Sequence, residues 1–193
     1  MKLFRLIAGA TAAAAALALL PVVAAQPGAA QGPVFDPPML VTSAGQSPDV
    51  QLAVVLAKRA GIETKLAKLA AAKDLEGAGT LGLVVGASLK GLGAAGLDTA
   101  KEKARVQALL AEAARRKIPV LFLHLGGEQR RGELTDAMVA EYLPAARMAV
   151  IVKSADGDGL FSKICWARGI PLVAVEKTAE AAEVLKSAFK PKA

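Results

Sequence analysis

Three stretches of the sequence carry most of the side chains that could bind or react with a small molecule. Met39–Asp49 reads MLVTSAGQSPD, Gly86–Gly96 is rich in glycine, and His124–Glu133 is the most polar loop of the chain. Hydroxyl groups, glycine amides and arginines are the groups that bind carboxylates and phosphates. A small polar or anionic ligand is therefore the first hypothesis, and its candidate contacts are Ser43, Gln46, Ser47, Ser88, Lys90, Gly91, His124, Gly126, Gly127, Arg130 and Arg131.

The first stretch is predicted to run from a strand through a small-residue loop into a helix. Ser47 is the expected N-cap, with Pro48 in the first helical position. The free N–H groups of a helix start attract anions. Asp49 in the first turn favours the helix dipole but weakens the case for a strongly anionic ligand. A plain capping role for Ser47 and Asp49 is an equal alternative.

The glycine-rich stretch matches a dinucleotide-binding pattern only in its letters. Gly91, Gly93 and Gly96 are spaced as G-x-G-x-x-G. That fingerprint belongs to the first strand–helix turn and needs an acid at the end of the next strand, which here ends in His124. We therefore predict no cofactor and interpret the stretch as a flexible glycine loop or a lid.

The two arginines of the third stretch leave two interpretations open. Arg130 and Arg131 follow a glycine pair and could form a bidentate clamp for an anion. They could equally pair with Glu128 and Glu133 and serve only to order the loop.

A catalytic role is the second hypothesis. His124 could act as a general acid or base on Ser43 or Ser88, with Glu128 or Asp156 as the acid. The sequence has no G-x-S-x-G nucleophile elbow, and a triad is defined by geometry. A lone histidine is more often simply hydrogen-bonded. His124 and Ser88 are therefore weak catalytic candidates, and the balance leans away from an enzyme.

Metal and thiol chemistry find little support. Cys165 is the one cysteine, so no internal disulfide forms, and its apolar neighbours Phe161 and Ile164 predict a buried, inert thiol. One histidine and no cysteine pair give no zinc pattern. The loop around Asp156 and Asp158 lacks the spaced ligands of a calcium loop, and Asp158 is predicted to cap a helix.

The first 25 residues are predicted to be a secretory signal peptide. Lys2 and Arg5 precede the apolar run Leu6–Ala25, which ends in small residues suited to cleavage before Gln26. We expect a periplasmic or extracellular protein with no stable membrane insertion after cleavage. Residues 26–38, rich in proline and glycine, are expected to form an extended leader, and residues 39–190 a single domain.

The charge of the chain permits anionic partners without favouring nucleic acid. The formal net charge is +7, but the basic residues are scattered and aromatic residues make up only 4% of the chain, so no stacking surface is expected. A third hypothesis is a protein-interaction module whose loops contact another protein. A broad apolar surface without a crevice would favour it.

Short apolar runs alternate with helical patterns from Met39 onward. Thr99 and Glu102 are expected to form a capping box at the start of one helix. The pattern predicts an α/β fold, a three-layer, doubly wound, mostly parallel sheet of the flavodoxin-like or Rossmann-like kind. Because Ile62–Leu66 alternates as an edge strand does, we predict the strand order 2-1-3-4-5-6. Winding then reverses between strands 1 and 3, where ligands bind in such sheets. The predicted strands are Met39–Thr42, Ile62–Leu66, Thr80–Val85, Pro119–His124, Met148–Val152 and Pro171–Val175.

The chain also resembles an uncharacterised family of bacterial exported proteins, known as a domain of unknown function. The resemblance extends from Met39 to Phe189. It implies export and a single α/β domain, and it implies no activity. The stretches that carry it are Leu40–Asp49, Lys90–Gly96, His124–Glu128, Arg130–Glu133 and Asp158–Phe161.

Overall fold

The structure is a computed structural model that describes residues 35–191. The predicted signal peptide, residues 1–25, and most of the predicted leader, residues 26–38, lie outside the described residues. Their assignments therefore stay predictions.

Six parallel strands form one sheet in the order β2-β1-β3-β4-β5-β6, which confirms the predicted order. β1 and β3 lie side by side, with Ser43 opposite Val84 in the register. Winding therefore reverses between them. The strands are β1 (Met39–Ala44), β2 (Thr64–Leu66), β3 (Thr80–Val85), β4 (Val120–His124), β5 (Met148–Val152) and β6 (Leu172–Val175).

The burial of each strand follows from its sequence. β1, β3 and β4 are buried along their whole length, as continuous apolar runs predict for strands covered on both faces. β2 is short and largely exposed, as its alternating pattern predicts for an edge. β1 extends two residues beyond its predicted end, so Ser43 belongs to the strand and not to the loop that follows it.

Helices cover both faces of the sheet and bury two separate cores. α1 and α6 pack with residues such as Val41 and Leu123 on one face. α3, α4 and α5 pack with residues such as Phe122 and Ile151 on the other. This arrangement confirms the predicted three layers. The α-helices are α1 (Asp49–Arg59), α2 (Leu89–Ala94), α3 (Thr99–Arg116), α4 (Glu133–Tyr142), α5 (Leu160–Arg168) and α6 (Ala181–Ala188), and short 3-10 segments cover Ala72–Leu75, Glu128–Arg130, Leu143–Ala145, Lys153–Asp156 and Thr178–Glu180.

Two predicted helix starts are displaced by one residue. α3 is capped by Asp98, whose Oδ1 accepts a hydrogen bond from the amide of Lys101 at 2.7 Å, so the capping box predicted at Thr99 is wrong. α1 begins at Asp49, one residue later than predicted, and the Ser47 hydroxyl accepts a hydrogen bond from the Asp49 amide at 3.2 Å. Pro48 therefore occupies the N-cap position predicted for Ser47, and Ser47 bonds the first helical amide from one residue before the cap. No helix within residues 35–191 has the length and apolar character needed to cross a bilayer.

Candidate functional site

The loops that follow β1, β3 and β4 meet at the carboxyl edge of the sheet. The amide of Ser88 donates a hydrogen bond to the carbonyl of Gly45 at 2.8 Å, and Gln46 forms a bridge with Ala87. A Cβ atom on Gly45 would lie 2.5 Å from the carbonyl oxygen of Gly86, so the two loops touch through bare backbone. We call this region the rim and define it as residues 45–49, 86–91 and 125–131.

The turn after β1 has an unusual backbone. Gly45 adopts φ of 99° and Gln46 adopts φ of 59°. The left-handed region costs little for glycine, but glutamine adopts it only when the surroundings hold it there. Two consecutive positive φ values therefore require stabilising contacts from outside the turn.

The carboxylate of Glu102 supplies these contacts and is fully buried beneath the turn. Glu102 Oε1 accepts hydrogen bonds from the amide of Gly45 at 2.8 Å and from Gln46 Nε2 at 3.0 Å. Arg105 pairs with the same carboxylate through Nε at 2.8 Å, and its other nitrogens bond the carbonyls of Ala70 and Ser43. One ion pair thus joins β1, its turn, α3 and the segment after β2.

The charged form of Glu102 is favoured despite its burial. Burial acts to raise the pKa of Glu102, but the hydrogen bonds from Arg105 and from the Gly45 amide outweigh it and hold that pKa below its ordinary value. Sequence reasoning missed Glu102 and Arg105 as parts of the site. The sequence does show an acid and an arginine three residues apart in the first turns of a helix, but Glu102 had been assigned to the predicted capping box.

Ser43 lies under the rim with its hydroxyl unsatisfied. Its side chain is fully buried, and within residues 35–191 its Oγ has no hydrogen-bond partner. A buried hydroxyl without a partner is costly, so this is a site where a bound water or ligand atom would stabilise the protein.

The glycine-rich stretch is a short helix and not the predicted flexible loop. Ser88 caps α2, and its hydroxyl accepts a hydrogen bond from the amide of Gly91 at 3.0 Å. A Cβ atom on Gly91 would lie 2.2 Å from the carbonyl oxygen of Gln46, so this glycine is required by close packing against the turn. Lys90 is exposed on the same helix.

His124 is fully buried below the rim, and both of its ring nitrogens face carbonyl groups. Nδ1 lies 2.9 Å from the oxygen of Val85, and Nε2 lies 3.1 Å from that of Gly127. Burial lowers the pKa of His124, opposed by these backbone hydrogen bonds, so the neutral ring is favoured. The neutral ring has one N–H and donates to only one of these carbonyls, while its other nitrogen faces the second carbonyl oxygen and not a serine hydroxyl.

The serine–histidine pairings proposed for catalysis do not form. Ser43 lies two residues after Val41, which packs in the core on the α1 face. His124 lies two residues after Phe122 and contacts Phe161 on the opposite face, with ring centroids 5.2 Å apart. Residues two apart in a strand point to the same face, so Ser43 and His124 lie on different sides of the sheet. The Ser88 hydroxyl is engaged by α2. In this structure neither serine hydroxyl is hydrogen-bonded to His124, whose ring nitrogens face the carbonyls of Val85 and Gly127.

Arg131 orders its loop and is not half of a clamp. Its guanidinium bonds Asp136 at 2.5 Å, Asp158 at 2.8 Å and the carbonyl of Ala155, and it lies 5.4 Å from the centre of the Phe161 ring. The loop-ordering alternative is correct for Arg131, although its partners are not the predicted Glu128 and Glu133. Hydrogen bonds with Asp136 and Asp158 raise the pKa of Arg131, and the same pairing lowers the pKa of Asp158 to about 2.

Arg130 is more available than Arg131. Its Nε lies 3.3 Å from Asp49 Oδ2, and its side chain is 37% exposed. A Cβ atom on Gly126 would lie 1.9 Å from Arg130 Cγ and 2.6 Å from Asp49 Oδ2, so both side chains rest directly on this glycine. Within residues 35–191, this is the one ion pair of Arg130, and its terminal guanidinium nitrogens make no hydrogen bond.

The structure also places the side chains that were considered for metal and thiol chemistry. Among the described residues, no three histidine, cysteine, aspartate or glutamate side chains lie close enough together to hold a metal ion. Cys165 is buried, and burial raises its pKa to about 11, so its thiol is inert as expected. Asp158 accepts a hydrogen bond from the Leu160 amide at 3.1 Å, but the N-cap position predicted for Asp158 is held by Gly159, and Asp156 accepts from the Phe161 amide at 2.8 Å.

A cleft of about 280 Å³ lies at the opposite, amino edge of the sheet. Gly61, Ile62, Lys186 and Phe189 are among the residues that line it. None of the candidate residues from the sequence contributes to this cleft. The cleft is therefore a second location at which a ligand could bind, away from the rim.

Comparisons with known proteins complete the description of the site. A family model described as "Domain of unknown function (DUF6305)" matches residues 36–189. No curated protein matches the sequence. Among solved structures, AlinE4, an esterase of the SGNH-hydrolase family, is 14% identical over 80% of each chain with a TM-score of 0.30. A serine-to-alanine mutant of that esterase is 15% identical over 86% of this chain and 87% of its own, with a TM-score of 0.27. Likeness this distant says nothing about activity.

Proposed function

We propose, from the geometry of the rim, that this chain, which belongs to the DUF6305 family, is an exported protein that binds a small polar or anionic ligand at the rim. The description of that family states no activity. The rim lies where the winding of the sheet reverses, which is the usual position of ligands in doubly wound folds.

The observation that carries the proposal is the strained turn at Gly45 and Gln46. Residues held in sparsely populated backbone regions cluster at ligand sites, and they persist only where the surroundings over-determine them. Here the fully buried carboxylate of Glu102, paired with a largely buried Arg105, holds that turn in place. A turn with no role beyond connecting β1 to α1 has no need of a buried carboxylate.

The charges of the rim favour a modestly charged ligand. Arg130 and the exposed Lys90 supply positive charge, whereas Ser47 is buried and its hydroxyl accepts a hydrogen bond from the Asp49 amide. Asp49 lies in the first turn of α1 and is paired loosely with Arg130 at 3.3 Å. Because Asp49 repels a multiply charged anion, a monocarboxylate or a neutral polar molecule fits better than a polyphosphate.

Export is supported by the pattern of the first 25 residues, with Lys2 and Arg5 ahead of the apolar run Leu6–Ala25. Cell fractionation and amino-terminal sequencing test it. We expect the processed protein outside the cytoplasm with Gln26 as its first residue. Recovery of the unprocessed chain in the cytoplasm would exclude export.

Ligand binding is tested by a thermal-shift screen of the processed protein against organic acids, phosphates, sugars and metal salts. A hit is then titrated against Arg130→Ala, Lys90→Ala and the control Arg147→Ala, which removes an exposed positive charge before β5. Loss of a charged hydrogen bond should weaken binding by about tenfold or more in Arg130→Ala. If Arg130→Ala and Lys90→Ala both bind as the wild type does, the site is not at the rim.

A further inference from the structure

Four of the six large apolar side chains exposed within residues 35–191 lie at one edge of the sheet. Leu52 and Val55 are 37% and 61% exposed on α1, and their spacing of three places them on one side of the helix. Leu66 and Leu69, at the end of β2 and just after it, are 36% and 45% exposed. We call these four side chains the edge patch.

The register of the sheet places Leu66 on the same side as α1, the helix that carries Leu52 and Val55. Leu66 lies opposite Val41, whose side chain packs with Val50 and Ala53 of α1. Neighbouring residues in register point to the same face, so Leu66 faces the side that α1 covers. Leu69 follows in a turn closed by a hydrogen bond from the Ala70 amide to the Ala67 carbonyl at 3.0 Å.

Basic side chains surround the edge patch. Lys58 and Arg59 end α1, and the segment 65–73 reads KLAKLAAAK, with all three of its lysines exposed. Between residues 58 and 76 the chain carries five basic and three acidic side chains. One of the acids, Asp74, accepts a hydrogen bond from the Ala71 amide and lies 3.7 Å from Lys65. The border is therefore apolar at its centre and positive around it.

This composition suits a lipid surface better than a protein partner. Protein interfaces draw on tryptophan, tyrosine and arginine and are depleted in lysine. The exposed Trp166 lies on α5 and outside the edge patch. Short aliphatic side chains flanked by lysines can enter the headgroup boundary while the ammonium groups meet lipid phosphates. We propose that the edge patch docks the folded protein onto an anionic membrane surface, without insertion of a helix.

Vesicle co-sedimentation tests the proposal. The chain beginning at Gln26 is used, because both cores of the domain lie within residues 35–191 and the apolar run before Gln26 would itself bind lipid. The vesicles are phosphatidylcholine alone or phosphatidylcholine with about a third phosphatidylglycerol. We expect sedimentation with the anionic vesicles only. Equal sedimentation with both, or with neither, would overturn the proposal.

Paired variants locate the surface. Leu66→Ser with Leu69→Ser, and separately Lys65→Gln with Lys68→Gln, should each weaken binding to the anionic vesicles on the order of tenfold. Leu89→Ser and Trp166→Ser control for loss of an exposed apolar group, and Lys101→Gln with Lys103→Gln controls for the same change in charge. Circular dichroism confirms that each variant is folded. Control variants that weaken binding as much as the edge variants would overturn the proposal, as would a dimer that forms through the edge patch in place of vesicle binding.

Discussion

At the scale of single residues, the rim depends on a buried carboxylate that contacts no solvent. Glu102 satisfies a backbone amide, a side-chain amide and a guanidinium at once. Charges buried in this way rarely add net stability over an apolar core, but removal of one partner leaves the other unpaired. The pair is therefore better explained by the fixed shape of the Gly45–Gln46 turn than by stability alone.

Glu102→Gln should lower the free energy of unfolding by about 3 kcal/mol, because it leaves Arg105 buried beside a neutral amide. Glu112→Gln is the matched control, since Glu112 forms ion pairs with Arg115 and Arg116 on the exposed side of the same helix. Urea denaturation measures both variants. If Glu112→Gln lowers the free energy of unfolding as much as Glu102→Gln does, the charge of the helix is responsible and not the contacts of Glu102 with the turn.

His124 predicts a dependence of stability on pH. Its pKa is lowered in the folded state by burial, so the unfolded chain takes up the proton first as the pH falls. The contribution of His124 to stability is therefore complete above the unfolded pKa of about 6.5 and is lost as the pH drops below it. Urea denaturation between neutral and mildly acidic pH should show a fall for wild type that is smaller in His124→Gln. Parallel curves for the two proteins would contradict this assignment.

At the scale of elements, the short helix α2 is shaped by glycines with opposite roles. Gly91 meets the backbone of Gln46, whereas a Cβ atom on Gly93 would have nothing within 4 Å. The same Gly→Ala change should therefore act in opposite directions at two positions of one helix.

Gly91→Ala should destabilise the protein by about 1–3 kcal/mol, since its Cβ would collide with the carbonyl oxygen of Gln46. Gly93→Ala should stabilise it by about 0.5–1 kcal/mol, because alanine costs less backbone entropy in a helix. Thermal unfolding followed by circular dichroism compares the two variants. Equal effects of the two changes would mean that α2 does not pack on the turn after β1.

The sequence was sufficient for the elements and insufficient for the contacts between loops. Continuous apolar runs predicted the buried strands, and alternation at Ile62–Leu66 placed β2 at an edge, which fixed the strand order. Gln46 and the glycines of the rim lie at the carboxyl edge of the sheet as predicted, whereas Ser43 belongs to β1 and lies beneath it. The partners of Arg131 were predicted wrongly, because Asp136 and Asp158 reach Arg131 only through the packing of α4 and α5. Glu102 was hidden for the same reason.

At the scale of the whole molecule, two surfaces have different characters. The rim is polar, is held rigidly from below and carries Arg130 and Lys90, whereas the edge patch is aliphatic and ringed with lysine. The two surfaces adjoin, since Gln46 Nε2 donates a hydrogen bond to the carbonyl of Lys68 at 3.4 Å, between Leu66 and Leu69. The cleft of about 280 Å³ at the amino edge is the main competitor of the rim as a ligand site.

Amide chemical-shift mapping of the processed protein discriminates directly between the rim and that cleft. Each hit of the thermal-shift screen is titrated into ¹⁵N-labelled protein. Binding at the rim should shift the amides of Gln46, Ser47 and Gly126 and leave those of Gly61 and Phe189 unchanged. Shifts centred on Gly61 and Phe189, or none at the rim for any compound, would contradict the account.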